Sequence, residues 1–156
     1  MQNLPFRPNV CLLIMNDERR LFLGERHNES DKWQFPQGGV EENMSLEENA
    51  IREAHEELGV DIELLKIVKK FKTTHKYDFT KIPDYAVGVW RGQDQTFWLL
   101  EFLGADKDIN LSRFHPEFSK YRWCTSEEVR KIAEQKRLPG YLPVLEEFEL
   151  YLSSLK

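Results

Sequence analysis

The chain has 156 residues, with 22 lysines plus arginines against 27 aspartates plus glutamates, and a formal charge of −5. A chain of that length closes one ordinary core without disulfide or metal staples, and its 40% apolar and 31% charged content excludes a disordered polymer. The acidic balance argues against a protein that coats duplex DNA, which needs a basic excess, but polyphosphate substrates stay open because a bound divalent cation reverses the local sign.

The strand signal begins at Val10–Met15, a β-former-rich apolar run. Asn16–Arg19 turns it, and Leu21–Leu23 is the expected hairpin partner. Trp33-Gln34-Phe35 alternates apolar and polar and stops at Pro36. Gly38-Gly39 reads as a flexible loop. A helix follows from about Leu46 to Leu58. Ser45 is its N-cap, Glu48 completes a capping box and Gly59 supplies the stop. Residues 62–74 read as a strand with lysines on the wet positions, and 96–102 as the strongest strand. Tyr121–Cys124 is a short one. A second helix is expected with Ser126 as cap, and Arg137-Leu138-Pro139-Gly140 reads as a helix break. A third helix carries Leu145, Phe148 and Leu152 on one face. Strands around one helix, with two helices last, imply an α+β sandwich with a mixed sheet.

The two cysteines, Cys11 and Cys124, each lie in apolar surroundings and read as buried free thiols. No apolar run nears the roughly 18 residues of a membrane span, and the N-terminus lacks a signal-peptide pattern. The expectations are one domain over residues 1–156, a cytoplasmic setting and no stable protein partner.

Chemistry concentrates in Arg52-Glu53-Ala54-His55-Glu56-Glu57-Leu58-Gly59. Leu46, Ala50, Ala54 and Leu58 form the buried row, and Glu53, Glu56 and Glu57 project together beside it. Like charges at that spacing cost about 0.2–0.5 kcal/mol per pair, and the helix dipole disfavours anions near its C-terminal end. A helix built only for stability would carry lysine there. Either the patch is a solvated acidic face, or it holds a hard cation such as Mg²⁺, with Mn²⁺ as the alternative.

This segment resembles the signature of the Nudix hydrolases: Gly, five residues, Glu, seven residues, then Arg-Glu, an apolar residue, any residue, Glu-Glu, any residue, Gly and an apolar residue. Gly38 begins it here and Arg52–Val60 complete it. The first glutamate falls on Met44, which weakens the expected support of the loop, with Glu41 or Glu42 as substitutes. Arg7-Pro8-Asn9-Val10, Trp33–Gly39, Gly92–Gln95 and Pro116-Glu117-Phe118 resemble the subgroup that contains RNA 5′-pyrophosphohydrolases and dinucleoside polyphosphate hydrolases. The resemblance implies an α/β/α sandwich with a central mixed sheet. It also implies Glu53, Glu56, Glu57 and Glu117 as metal ligands and catalytic carboxylates, with the Gly38 carbonyl as a further ligand. Arg7, Tyr77, Gln95 and Lys136 are the implied substrate contacts. Gln135 stands where the subgroup often has a stacking Phe, and Asp94 and Thr96 where it is commonly more basic. The implied activity is removal of pyrophosphate, or successive phosphates, from 5′-triphosphorylated RNA. Nucleoside polyphosphates are the rival substrates. A nucleotide-binding module without catalysis, and a protein-interaction domain, are the other classes weighed.

Overall fold

In the computed structural model, which describes residues 3–155, seven strands form one mixed sheet. Five of them, β1 (Phe6–Met15), β2 (Leu21–Arg26), β3 (Trp33–Gln34), β5 (Leu65–Asp78) and β6 (Gly92–Phe102), lie in the order β3-β2-β1-β6-β5. The short β4 (Gln37–Gly39) pairs with β1, and β7 (Phe118–Cys124) pairs with β2. Helix α1 (Leu46–Leu58) covers one face; α2 (Ser126–Ile132) and α3 (Leu138–Ser154) cover the other. This is the α/β/α sandwich of the sequence reading.

The central strands show why two helical layers are needed. Along β1, Cys11, Leu13 and Met15 enter the core under α2 and α3, while Val10, Leu12 and Ile14 enter the core under α1. In β6, Phe97 and Leu99 take the first face and Trp98, Leu100 and Phe102 the second. Continuous apolar runs are the mark of strands buried on both sides. Both cysteines are free and buried. Among the described residues no helix is long and apolar enough to cross a membrane.

Local signals hold at α1. The Ser45 hydroxyl accepts from the Glu48 amide, the Glu48 carboxylate accepts from the Ser45 amide, and Gly59 ends the helix at φ 66°. Elsewhere the structure departs from expectation. Gly38-Gly39 is not a loop but strand β4, in antiparallel register with Val10 and Asn9. Leu21–Leu23 meets β1 only at Leu21, opposite Met15, and otherwise pairs with β7. The expected strand at 62 starts as a 3₁₀ turn, Ile62–Leu64, and the strand runs from Leu65 to Asp78. The cap of α2 is Thr125, not Ser126, because Glu128 stands three residues after Thr125 and closes the box. Residues 137–140 begin α3 instead of breaking a helix, since Pro139 in the first turn gives up no internal hydrogen bond.

Strand β5 ends the ordered path of the sheet, and its register shifts between Lys70 and Thr74. Glu147 of α3 satisfies this irregular stretch, accepting from the Lys72 amide at 3.0 Å, the Thr73 amide at 2.6 Å and the Thr73 hydroxyl. Partial burial pushes its carboxyl up, yet these donors prevail and hold it below the ordinary range. A depressed value stabilises the fold above the unfolded pKa and loses that effect as pH falls through the folded one. Glu147→Gln is therefore expected to cost about 1 kcal/mol at neutral pH after allowing for solvent screening. Urea melts at stepped pH should show the deficit shrinking below the ordinary glutamate value of 4.5.

Candidate active site

A cleft of about 550 Å³ opens between α1, β4, the turn before β6 and the loop before β7. Its acidic wall is Glu53, Glu56 and Glu57 from α1, met by Glu117 from the loop. Arg7 of β1 and Gly38 of β4 line it as well. Six of the residues singled out in the sequence therefore converge.

The carboxylates are not equivalent. Glu53 and Glu57 are buried, at 9% and 6% exposure, while the Glu56 side chain is 44% exposed. Burial pushes Glu57 well above the usual carboxylate range, and the neighbouring charges of Glu53 and Glu117 add to it. Burial also raises Glu53, opposed by a hydrogen bond from Glu57 and by the Arg52 charge. Glu53 and Glu57 share a hydrogen bond, and the Gln37 amide donates to Glu57.

Glycine at 38 is a requirement of space: a Cβ there would lie 2.2 Å from the Glu53 carboxyl carbon. Strand β4 can run beside α1 only because Gly38 carries no side chain. That explains why a residue pair that reads as a loop is a strand.

Arg52 organises the acidic wall from behind. Its Nη1 lies 3.1 Å from Glu53 Oε1 and 3.3 Å from Glu56 Oε1, and its Nη2 donates to the Gly39 carbonyl at 3.2 Å. Nη2 also donates to Asn49 Oδ1 at 2.9 Å. Asn49, fully buried, accepts from the Glu41 amide at 2.8 Å. Its own amide donates to the carbonyls of Glu41, Met44 and Ser45. The loop support expected at Met44, or from Glu41 or Glu42, comes from Asn49. Both glutamates are exposed, and Glu41 contributes only its backbone. Asn49 was missed because a polar residue on the helix's inner side carries no periodic signal of its own.

Tyr77, Gln95 and Lys136 do not line this cleft. Gln95 is buried behind it and donates to Asn9 Oδ1 at 3.0 Å, and Asn9 in turn donates to Gln37 Oε1 at 2.7 Å. Gln37 does line the cleft. Tyr77 accepts from Gln93 at 3.0 Å. Lys136 lies 3.7 Å from the buried carboxylate of Glu134, which also draws Arg26, Lys32 and Arg137. The cleft adds aromatic and imidazole groups absent from the sequence expectation: Tyr85, Phe114, His55 and His115. His55 donates from Nδ1 to the Val60 carbonyl at 2.7 Å, which removes that nitrogen from any ligand role.

The donor set suits a hard cation. It consists of carboxylate oxygens around a buried like-charged pair that a cation would relieve. Among the described residues no three such groups already stand in a closed metal-holding arrangement.

A mixed sheet between helices and this acidic cleft define a hydrolase of the Nudix class, and the match to known sequences agrees. The NUDIX domain model covers residues 5–148, so the chain belongs to that family, whose members generally work with divalent metals. It is 40% identical over 153 residues to an RNA pyrophosphohydrolase of Roseobacter denitrificans, covering 96% of this chain and 95% of that one. An RNA pyrophosphohydrolase of Novosphingobium aromaticivorans is 38% identical, covering 93% of each. In three dimensions the chain is similar to a Caenorhabditis elegans Ap4A hydrolase in a binary complex. The TM-score is 0.68 at 23% identity, over 95% of this chain and 98% of that one, a likeness of fold.

Proposed function

We propose that this chain, as a single Nudix domain, removes pyrophosphate or successive phosphates from 5′-triphosphorylated RNA and leaves a 5′-monophosphate end. The observation that carries the reading is near full-length identity of 40% and 38% to two RNA pyrophosphohydrolases. The cleft supports it chemically. Mg²⁺, or Mn²⁺ in its place, held by Glu53, Glu56, Glu57, Glu117 and the Gly38 carbonyl, would neutralise the phosphate oxygens and acidify a bound water. Arg7 grips a phosphate through its planar fork. Glu117, the exposed carboxylate across the cleft, takes the proton of the attacking water as the phosphoanhydride P–O bond breaks. Arg52 keeps Glu53 and Glu56 oriented throughout. Tyr77, Gln95 and Lys136 support the substrate from outside the cleft, Gln95 through Asn9 and Gln37. The proposed setting is cytoplasmic, with no stable protein partner.

The test is competition. A short 5′-triphosphate RNA, a free nucleoside triphosphate and a dinucleoside polyphosphate are offered together with Mg²⁺, and products are resolved by chromatography. RNA is expected to be consumed first, and chelation to stop all turnover. RNA as the poorest substrate would overturn the reading in favour of nucleoside polyphosphates. Tight nucleotide binding without turnover would mark a non-catalytic module.

A further inference from the structure

A row of rings runs from the end of β5 to the cleft. His75, Tyr77 and Phe79 alternate along the chain and so project to the same side. The rings of His75 and Tyr77 stack with centroids 5.1 Å apart, those of Tyr77 and Phe79 meet edge to face at 6.3 Å, and Phe79 meets Tyr85 the same way at 6.3 Å. Tyr85, on the 3₁₀ turn Asp84–Ala86, lines the cleft beside Arg7, whose guanidinium carbon lies 4.6 Å from its ring centre. His75, Tyr77 and Phe79 are half-buried, and Tyr85 is 52% exposed.

We propose that this row is a stacking track for the unpaired bases of the RNA behind its 5′ end. Four aromatic groups stand in succession, each partly exposed, and Tyr85 carries Arg7 on one face. They end at the cation that faces the phosphate-binding cleft. Single-stranded RNA is recognised by stacking of splayed bases on such rings, with little demand on sequence. The track also answers the composition of the chain. An acidic protein gains little from the RNA backbone, so contact through base faces is the route its charge leaves open. Gln135 offers no ring beside Lys136, whereas Tyr85 places one in the cleft.

The track rests on the RNA reading, and binding separates the two. A labelled 5′-monophosphate hexa-adenylate, which is not turned over, is titrated by fluorescence anisotropy. Tyr85→Ala and Phe79→Ala are each expected to weaken binding about tenfold, while Tyr85→Phe and Tyr85→Trp retain it. An abasic oligonucleotide of the same length should bind wild type and variants alike. Tyr85 is exposed on a turn, so Tyr85→Ala carries the test even if Phe79→Ala folds poorly. Wild-type affinity in Tyr85→Ala with an unchanged circular dichroism spectrum overturns the track. If RNA is a poor substrate but the alanine variants still lose hexa-adenylate binding, the track stands and the activity reading falls. If RNA is the preferred substrate and the variants bind as wild type, the reverse holds.

Discussion

Glu57→Gln is expected to lower kcat by roughly 10²–10⁴-fold while the protein stays folded. Glu57 is 6% exposed and sits against Glu53, with its carboxyl held by the Gln37 amide. Glutamine keeps the shape, still accepts from Gln37 and can donate to Glu53, so packing survives. The anionic oxygen that a divalent ion needs is gone. Stability should move the other way. The raised pKa of Glu57 means that its contribution is complete below the unfolded glutamate value of about 4.3 and is lost as pH rises through the folded value. Glutamine does not share that loss. Metal-free Glu57→Gln should therefore melt at or above the wild-type temperature, with the gap widening from pH 4 to pH 8. Divalent metal should raise the Tm of the wild type with concentration and leave the variant nearly flat. Calorimetry with and without chelator, beside steady-state kinetics, reads all three effects. Wild-type kcat in Glu57→Gln would reject the ligand assignment.

Asn49→Ala carries the second large effect. The side chain makes five hydrogen bonds; the Glu41 and Ser45 carbonyls also accept from the Met44 and Asn49 amides, but the Glu41 amide and the Met44 carbonyl lose the partner that Asn49 gives them. Leaving them unpaired is expected to cost about 3 kcal/mol. Arg52 loses its anchor at the same time and is freer to leave Glu53 and Glu56, so kcat/KM should fall about 10–100-fold, as when a ligand-orienting partner is removed. Met44→Glu is the informative second change. Met44 and Arg52 border the same hollow on the outer side of α1, so a carboxylate at 44 can take up the guanidinium that Asn49 releases. The double variant is expected to recover much of the activity but less of the stability, because the Glu41 amide and the Met44 carbonyl still lack the Asn49 side chain. Denaturant midpoints and metal titrations of activity, compared across the four proteins, separate the two roles. Unchanged midpoint and kcat/KM in Asn49→Ala would remove Asn49 from the account.

Much of this was readable in one dimension, for identifiable reasons. Helix α1 obeyed local rules: a cap, a box, a left-handed stop and an i, i+4 apolar row, each decided within four residues. The same box rule, applied to Thr125 instead of Ser126, finds the true start of α2. Gly38-Gly39 failed because glycine pairs usually serve backbone freedom, whereas here they make room for Glu53 and for Arg7. That demand comes from residues fifteen places ahead and more than thirty behind. Gln95 was legible as important but not as remote, since its route through Asn9 depends on the parallel pairing that sets Asn9 opposite Gln95. Tyr85 had no signal at all. An aromatic on an exposed turn gains its meaning only when the fold brings it to Arg7.

Gly59 has a consequence for how such chains age. It holds φ 66°, and a Cβ there would sit 1.7 Å from the Asn110 carbonyl oxygen. The backbone on both sides would have to move, whatever the protein did for a living. Gly59 is therefore retained by architecture, while Glu56, its side chain 44% exposed and paired to Arg52, is retained by chemistry. A descendant that stopped hydrolysing would shed Glu56 early and keep Gly59 to the last, so a half-eroded motif dates the loss of activity without any assay.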